Sequence, residues 1–120
     1  MIKVFISDGF IKEQIDETEK KYETVKNIEE STHVMVGPGG IGAFSDIFTA
    51  IKSKKSLFLY NKDGYYSDTI NNLSKGYLEG YIEKAPAGYI YIENGFDNIL
   101  EDMEEKENDK SNDGKSSKLL

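Results

Sequence analysis

Four short runs of β-branched and aromatic residues recur along the chain, each followed within a few residues by a stretch whose apolar side chains return at helical spacing. The runs are Ile2-Lys3-Val4-Phe5-Ile6, His33-Val34-Met35-Val36, Leu57-Phe58-Leu59-Tyr60 and Tyr89-Ile90-Tyr91-Ile92. Apolar runs this short and this continuous read as strands buried on both faces. Strands that alternate with helices through short connections call for a parallel sheet covered on both sides by right-handed crossovers. The expected fold is therefore α/β, a small Rossmann-like three-layer fold with a parallel sheet of about four strands.

The first helical stretch runs from Phe10 to about Glu30, on the spacing of Ile11, Ile15, Tyr22, Val25 and Ile28, as one helix or as two broken near Glu19. A second is expected over 41–53, with Ile41, Phe44, Ile47, Phe48 and Ile51 on its apolar face and Lys52, Lys54 and Lys55 at its negative end. A third covers about 66–78, with Ile70, Leu73 and Tyr77 inward, and a fourth starts near Asn94 and carries Ile99, Leu100 and Met103. After about Glu105 the sequence becomes KENDKSNDGKSSKLL. So polar a segment does not bury enough surface to offset its ordering entropy. Residues 1–105 read as one domain and 106–120 as a disordered polar tail.

A net charge of -7 argues against nucleic acid or an anionic membrane as partner. No apolar run approaches the roughly 20 residues that span a bilayer, and the first ten residues lack the order of a signal peptide. The expected location is cytoplasmic. The absence of cysteine removes thiol chemistry and thiolate metal sites. The one histidine, His33, reads as a packed strand residue, and neither a metal nor a cofactor is expected. All 15 basic residues are lysines, so one protomer has no guanidinium fork with which to clamp a phosphate. Edge strands of near-continuous apolar sequence need covering, which points to a homo-oligomer.

The second strand runs directly into Gly37-Pro38-Gly39-Gly40-Ile41-Gly42-Ala43-Phe44-Ser45-Asp46. A glycine turn between a strand's carboxyl end and a helix start brings backbone N–H groups and the positive helix end to one place, where an anion fits. Glycines also mark tight connections that hold nothing, and that reading stays open. Gly37, Gly39 and Gly42 satisfy the G-x-G-x-x-G fingerprint as well, with Asp63 lying 21 residues beyond Gly42 as the ribose acid of a dinucleotide fold. Tyr65 and Tyr66, at the end of the third strand, are candidates to stack on a base or to pack under the turn.

Pro38-Gly39-Gly40-Ile41-Gly42-Ala43-Phe44-Ser45-Asp46 resembles the P-G-G-x-G-T-x-x-E hallmark of the LOG (Lonely Guy) family, the "possible lysine decarboxylase" group within the SLOG superfamily of nucleotide-binding domains. Leu57 through Tyr66 is similar to that family's strand ending in a D-G-Y-Y-type turn, and Glu79-Gly80-Tyr81-Ile82 to its E-G-F-I. The likeness covers about residues 20–104. It implies a site built from Gly37, Pro38, Gly39, Gly40, Ile41, Gly42, Ala43, Asp46 and Tyr65, and hydrolysis of the N-glycosidic bond of a nucleoside 5′-monophosphate. The departures are Ala43 for Thr, Asp46 for Glu, a missing first strand–helix half with its own glycine turn, and no catalytic Arg. The Arg segment would fall near 20–24, where Lys20, Lys21 and Lys26 are the nearby cations.

Asp46 is one methylene short of the family's Glu, and a misplacement of about an ångström costs on the order of a hundredfold in rate. The leading expectation is non-catalytic binding of a small nucleotide, such as AMP or an ADP-ribose-derived signal, to sense or to sequester it as a phage-encoded sponge would. One alternative is an active phosphoribohydrolase with Asp46 as its catalytic carboxylate. The other is a structural oligomer with no ligand.

Overall fold

The computed structural model describes residues 1–83 and 90–108, with side chains to residue 105. Five strands, β1 (Lys3–Ile6), β2 (Glu23–Val25), β3 (His33–Val36), β4 (Ser56–Tyr60) and β5 (Ile90–Glu93), form one sheet in the order β2-β1-β3-β4-β5. Every pairing is parallel. Four helices, α1 (Lys12–Lys21), α2 (Ile41–Lys52), α3 (Ser67–Leu78) and α4 (Phe96–Asn108), complete an α/β domain.

Alternating residues of the central strands feed two cores. Val34, Val36, Leu57 and Leu59 face Ala43, Ile47 and Ala50 of α2 and Leu73 of α3. Met35 and Phe58 face the other way, onto Ile99, Leu100 and Met103 of α4. From α1, Thr18 is wholly buried on that second side, its hydroxyl 4.0 Å from the Met35 sulfur. Burial of successive residues on opposite faces is why these strands read as unbroken apolar runs.

The structure corrects the sequence reading in four places. The helix expected over Phe10 to Glu30 ends at Lys21, and Tyr22 already has extended dihedrals. Glu23-Thr24-Val25 then forms a fifth strand on the edge of the sheet beside β1. The periodic apolar residues misled because they serve opposite faces: Ile28 belongs to the core on the side of α2 and α3, whereas Tyr22 packs against the core on the side of α4. No single straight helix presents both. Ile41, at 86% exposure, and Phe48 also lie outside the core, although helical spacing put them on its face. The fourth helix continues to Asn108, past the expected boundary at 105. Tyr89 and residues 109–120, where most of the disordered tail was expected, lie outside the described residues.

The sheet also does not divide into two mononucleotide halves of the dinucleotide type, whose order is 3-2-1-4-5-6. Its order reverses direction between β1 and β3, and that switch point is where open α/β sheets leave a crevice beyond the carboxyl ends of the strands.

Candidate functional site

The turn after β1 and the turn after β3 meet at this crevice, backbone against backbone. Gly37 N–H donates to the Asp8 carbonyl at 2.8 Å, and Ser7 N–H donates to the Met35 carbonyl at 2.8 Å. A Cβ on Gly9, which has a φ of +100°, would lie 2.3 Å from the Gly37 carbonyl carbon. A Cβ on Gly37 would lie 2.7 Å from the Gly9 oxygen. Both positions therefore require glycine for reasons of packing and, at Gly9, of dihedral angle.

The remaining glycines divide. Gly39 lies under Asp8 and Ala43, whose Cβ atoms would stand 3.0 and 2.9 Å from a Cβ added there. Gly42 faces the Asp8 carboxylate, with Oδ2 3.3 Å from the corresponding point. Gly40 has nothing within 4 Å. It is the N-cap of α2, the helix has no side-chain cap, and no acidic residue stands in its first turn. The first N–H groups of any helix lack intrahelical acceptors and carry the positive end of its dipole. At α2 the Gly40 position is open, while the Asp8 carboxylate lies against Gly42 in the same turn.

Two tyrosines hold the loop from behind. Tyr65 hydroxyl donates to the Gly39 carbonyl and Tyr66 hydroxyl to the Gly37 carbonyl, each at 2.6 Å. Tyr66 is wholly buried. Burial, and next the neighbouring Tyr65, pushes its phenol up to about 12, so it stays a donor throughout the neutral range. The segment between β4 and α3 presents both rings. Asn61 Oδ1 accepts the Tyr66 N–H at 2.6 Å, and Asp63 and Gly64 turn the chain with φ of 54° and 72°. Tyr65 remains half-exposed, with its ring 4.8 Å from that of Tyr66 and 6.4 Å from that of Phe44.

Asp46 lies one turn further along α2 than Gly42 and is half-buried. Its Oδ2 accepts the Ser7 hydroxyl at 2.6 Å, which ties α2 to the end of β1. Ala43 is fully buried under Gly39, so only its backbone N–H belongs to the site. Ile41 projects beside Gly40.

Other expected residues are placed elsewhere. Lys20 and Lys21 end α1, which leads back from the carboxyl edge of β1 to the start of β2, so they sit at the sheet edge opposite the glycine loop. They do not replace an arginine there. Lys26 follows β2 on the correct edge, with β1 between it and β3. His33 stacks on Phe58 at 5.7 Å and keeps Nδ1 2.7 Å from Thr32 Oγ1, at the amino end of β3. Asp63 is exposed in the short 3-10 turn after β4. No group of three or more His, Asp or Glu arranged for a metal occurs among the described residues. No helix among them is long and apolar enough to cross a membrane.

Sequence reasoning missed Ser7, Asp8 and Gly9, the turn that follows β1. Their part in the site depends on β1 lying beside β3, and strand order is not written in local spacing. No family model, curated protein or solved structure matches the chain. What fold and site define together is a class: a small doubly wound α/β domain with an uncapped glycine turn at its switch point.

Proposed function

We propose that the chain binds a small nucleotide, such as AMP or an ADP-ribose-derived signal, at the head of α2, and that it senses or sequesters this ligand without turning it over. The observation that carries this reading is Gly40, the loop glycine that no packing contact requires, at a helix start that has no side-chain cap. A phosphate takes those donors and the helix dipole without needing an arginine. Asp46, oriented by Ser7, stands one turn away for the ribose. Binding without turnover follows from the chain's lack of arginine: no guanidinium of its own stabilises charge as a glycosidic bond breaks. The exposed Ile41, Phe48, Leu78 and Tyr81 support a homo-oligomer as its working form.

The test is incubation of the protein with AMP, ADP-ribose and cyclic ADP-ribose isomers, removal of free ligand, and chromatography of what the denatured protein releases. Intact nucleotide with no free base in the filtrate is the expected result. Base accumulating beyond the molar amount of protein would mean an active phosphoribohydrolase instead. In a companion experiment Gly40→Leu weakens binding and costs no more than about 1 kcal/mol of unfolding free energy in urea, because its side chain enters empty space and only the N-cap preference for glycine is lost. Unchanged affinity in that variant removes the loop from the site.

A further inference from the structure

A groove of about 290 Å³ runs between α2 and α3 on their outer side, lined by Phe44 and Phe48 of α2 and by Asp68, Thr69, Asn72 and Leu73 of α3. Ile41, Phe44 and Phe48 stand at i, i+3 and i+7, so they form one apolar ridge along the edge of that groove. Tyr65 extends the ridge at the loop end, with its ring 6.4 Å from that of Phe44. The sheet does not use most of this ridge. Its strands meet α2 through Ala43, Ile47 and Ala50, whereas Phe48 is 49% exposed and Ile41 more so. Large apolar side chains gathered in water mark a surface that meets another.

The distribution of charge identifies the other surface. Two copies of a chain carrying -7 repel each other unless they meet where charge is balanced. The sequence of α4 has six acidic residues against one lysine, whereas α2 and α3 together have two of each, Asp46 and Asp68 against Lys52 and Lys75. Asp46 is turned to the end of β1 by Ser7. The other three are sorted by sign along the two helices: Asp68 lies in the first turn of α3, and Lys52 and Lys75 lie in the last turns of α2 and α3. Both helices lead from the carboxyl edge of a parallel sheet back to its amino edge, so the face is negative at one end and positive at the other. Among the described residues these three side chains take part in no ion pair. A second copy related by a twofold axis across the groove sets its helices antiparallel to these. Each Asp68 then meets the lysine end of the other copy, and each α2 ridge enters the other groove.

We propose that the outer face of α2 and α3 is an isologous interface between two copies of this chain, with Phe48 near its centre and Asp68 of each copy against Lys52 and Lys75 of the other. This rests on the homo-oligomer reading of the chain and gives it a face and a symmetry. Helices of 12 residues are about 18 Å long, and two of them offer a few hundred Å² per copy. That is the small end of specific interfaces, so the dimer dissociates in the micromolar range.

Sedimentation velocity of the full chain between about 1 and about 300 µM tests the proposal. The native chain is expected to pass from monomer to dimer over that range. Phe48→Glu is expected to weaken association by about tenfold or more, with its urea midpoint unchanged. Asp68→Lys alone, and Lys52→Glu with Lys75→Glu alone, are each expected to associate weakly. Mixed in equal amounts, these two variants should pair as tightly as the native chain, because every contact joins opposite charges again. All three positions are exposed, so the mixture reads the interface even if Phe48→Glu is destabilised. A native chain that stays monomeric throughout would overturn the homo-oligomer reading and this interface with it. A native oligomer that Phe48→Glu leaves intact would overturn this face alone, and a mixture no tighter than its components would overturn the twofold arrangement.

Discussion

Tyr66 is the largest of the wholly buried side chains, and its one polar atom is spent on the glycine loop. Tyr66→Phe leaves the buried Gly37 carbonyl without that donor, so the variant should lose about 1–3 kcal/mol of stability in urea denaturation. It should lose nucleotide affinity as well, because the loop is no longer held from behind. Asp102 poses the opposite case. Its Oδ2 is buried on α4 without a hydrogen-bond partner. Burial first, then hydrogen bonding and charge from Glu93, with smaller contributions from the charges of Glu105 and Glu101, pushes the carboxyl up to about 8. An unfolded Asp titrates near 3.9. Between about pH 4 and pH 8 the folded chain therefore holds a proton that the unfolded chain has released, and stability falls as pH rises through that window. Asp102→Asn should flatten this slope: in urea titrations it should match the native chain near pH 4 and exceed it at pH 8. A native chain as stable at pH 8 as at pH 4 would contradict the raised pKa.

Among the elements, α2 joins the site to the fold. Its N-cap is glycine where Ser, Thr, Asp or Asn is preferred. Gly40→Asp should raise stability by a few tenths of a kcal/mol by capping α2, and lower AMP affinity by placing a carboxylate on the ligand's donors. Urea denaturation and calorimetry on one sample would show the two effects moving in opposite directions. The legibility of the other elements follows the same logic of burial. Val34 to Val36 and Leu57 to Leu59 are buried on both faces, so β3 and β4 were readable as apolar runs. Glu23-Thr24-Val25 is a three-residue edge strand with Glu23 exposed, and it hid inside a helical spacing that ran from Ile11 to Ile28. The glycine loop was readable because its residues are contiguous. Asp8 was not, because its relation to Gly42 exists only through the pairing of β1 with β3.

For the whole molecule, the meeting of Gly9 with Gly37 has a consequence for assembly. One wall of the crevice, Ser7-Asp8-Gly9, belongs to the first strand–helix–strand unit, and the other, Gly37 to Asp46, belongs to everything that follows. The connection between β2 and β3 carries exposed Lys26, Asn27, Glu29 and Glu30, the kind of segment that tolerates a cut. Severed after Glu29, the protein becomes two pieces, each bearing one wall of the crevice. Fragments 1–29 and 30–120 mixed together should recover AMP binding that neither has alone, and AMP should tighten their association, since a ligand held only by the joined state favours joining. Full-strength binding by fragment 30–120 by itself would show that the β1 wall contributes nothing. The same contact that closes the crevice would otherwise make the divided chain a coincidence detector, with the nucleotide as the third party that must be present for the halves to stay together.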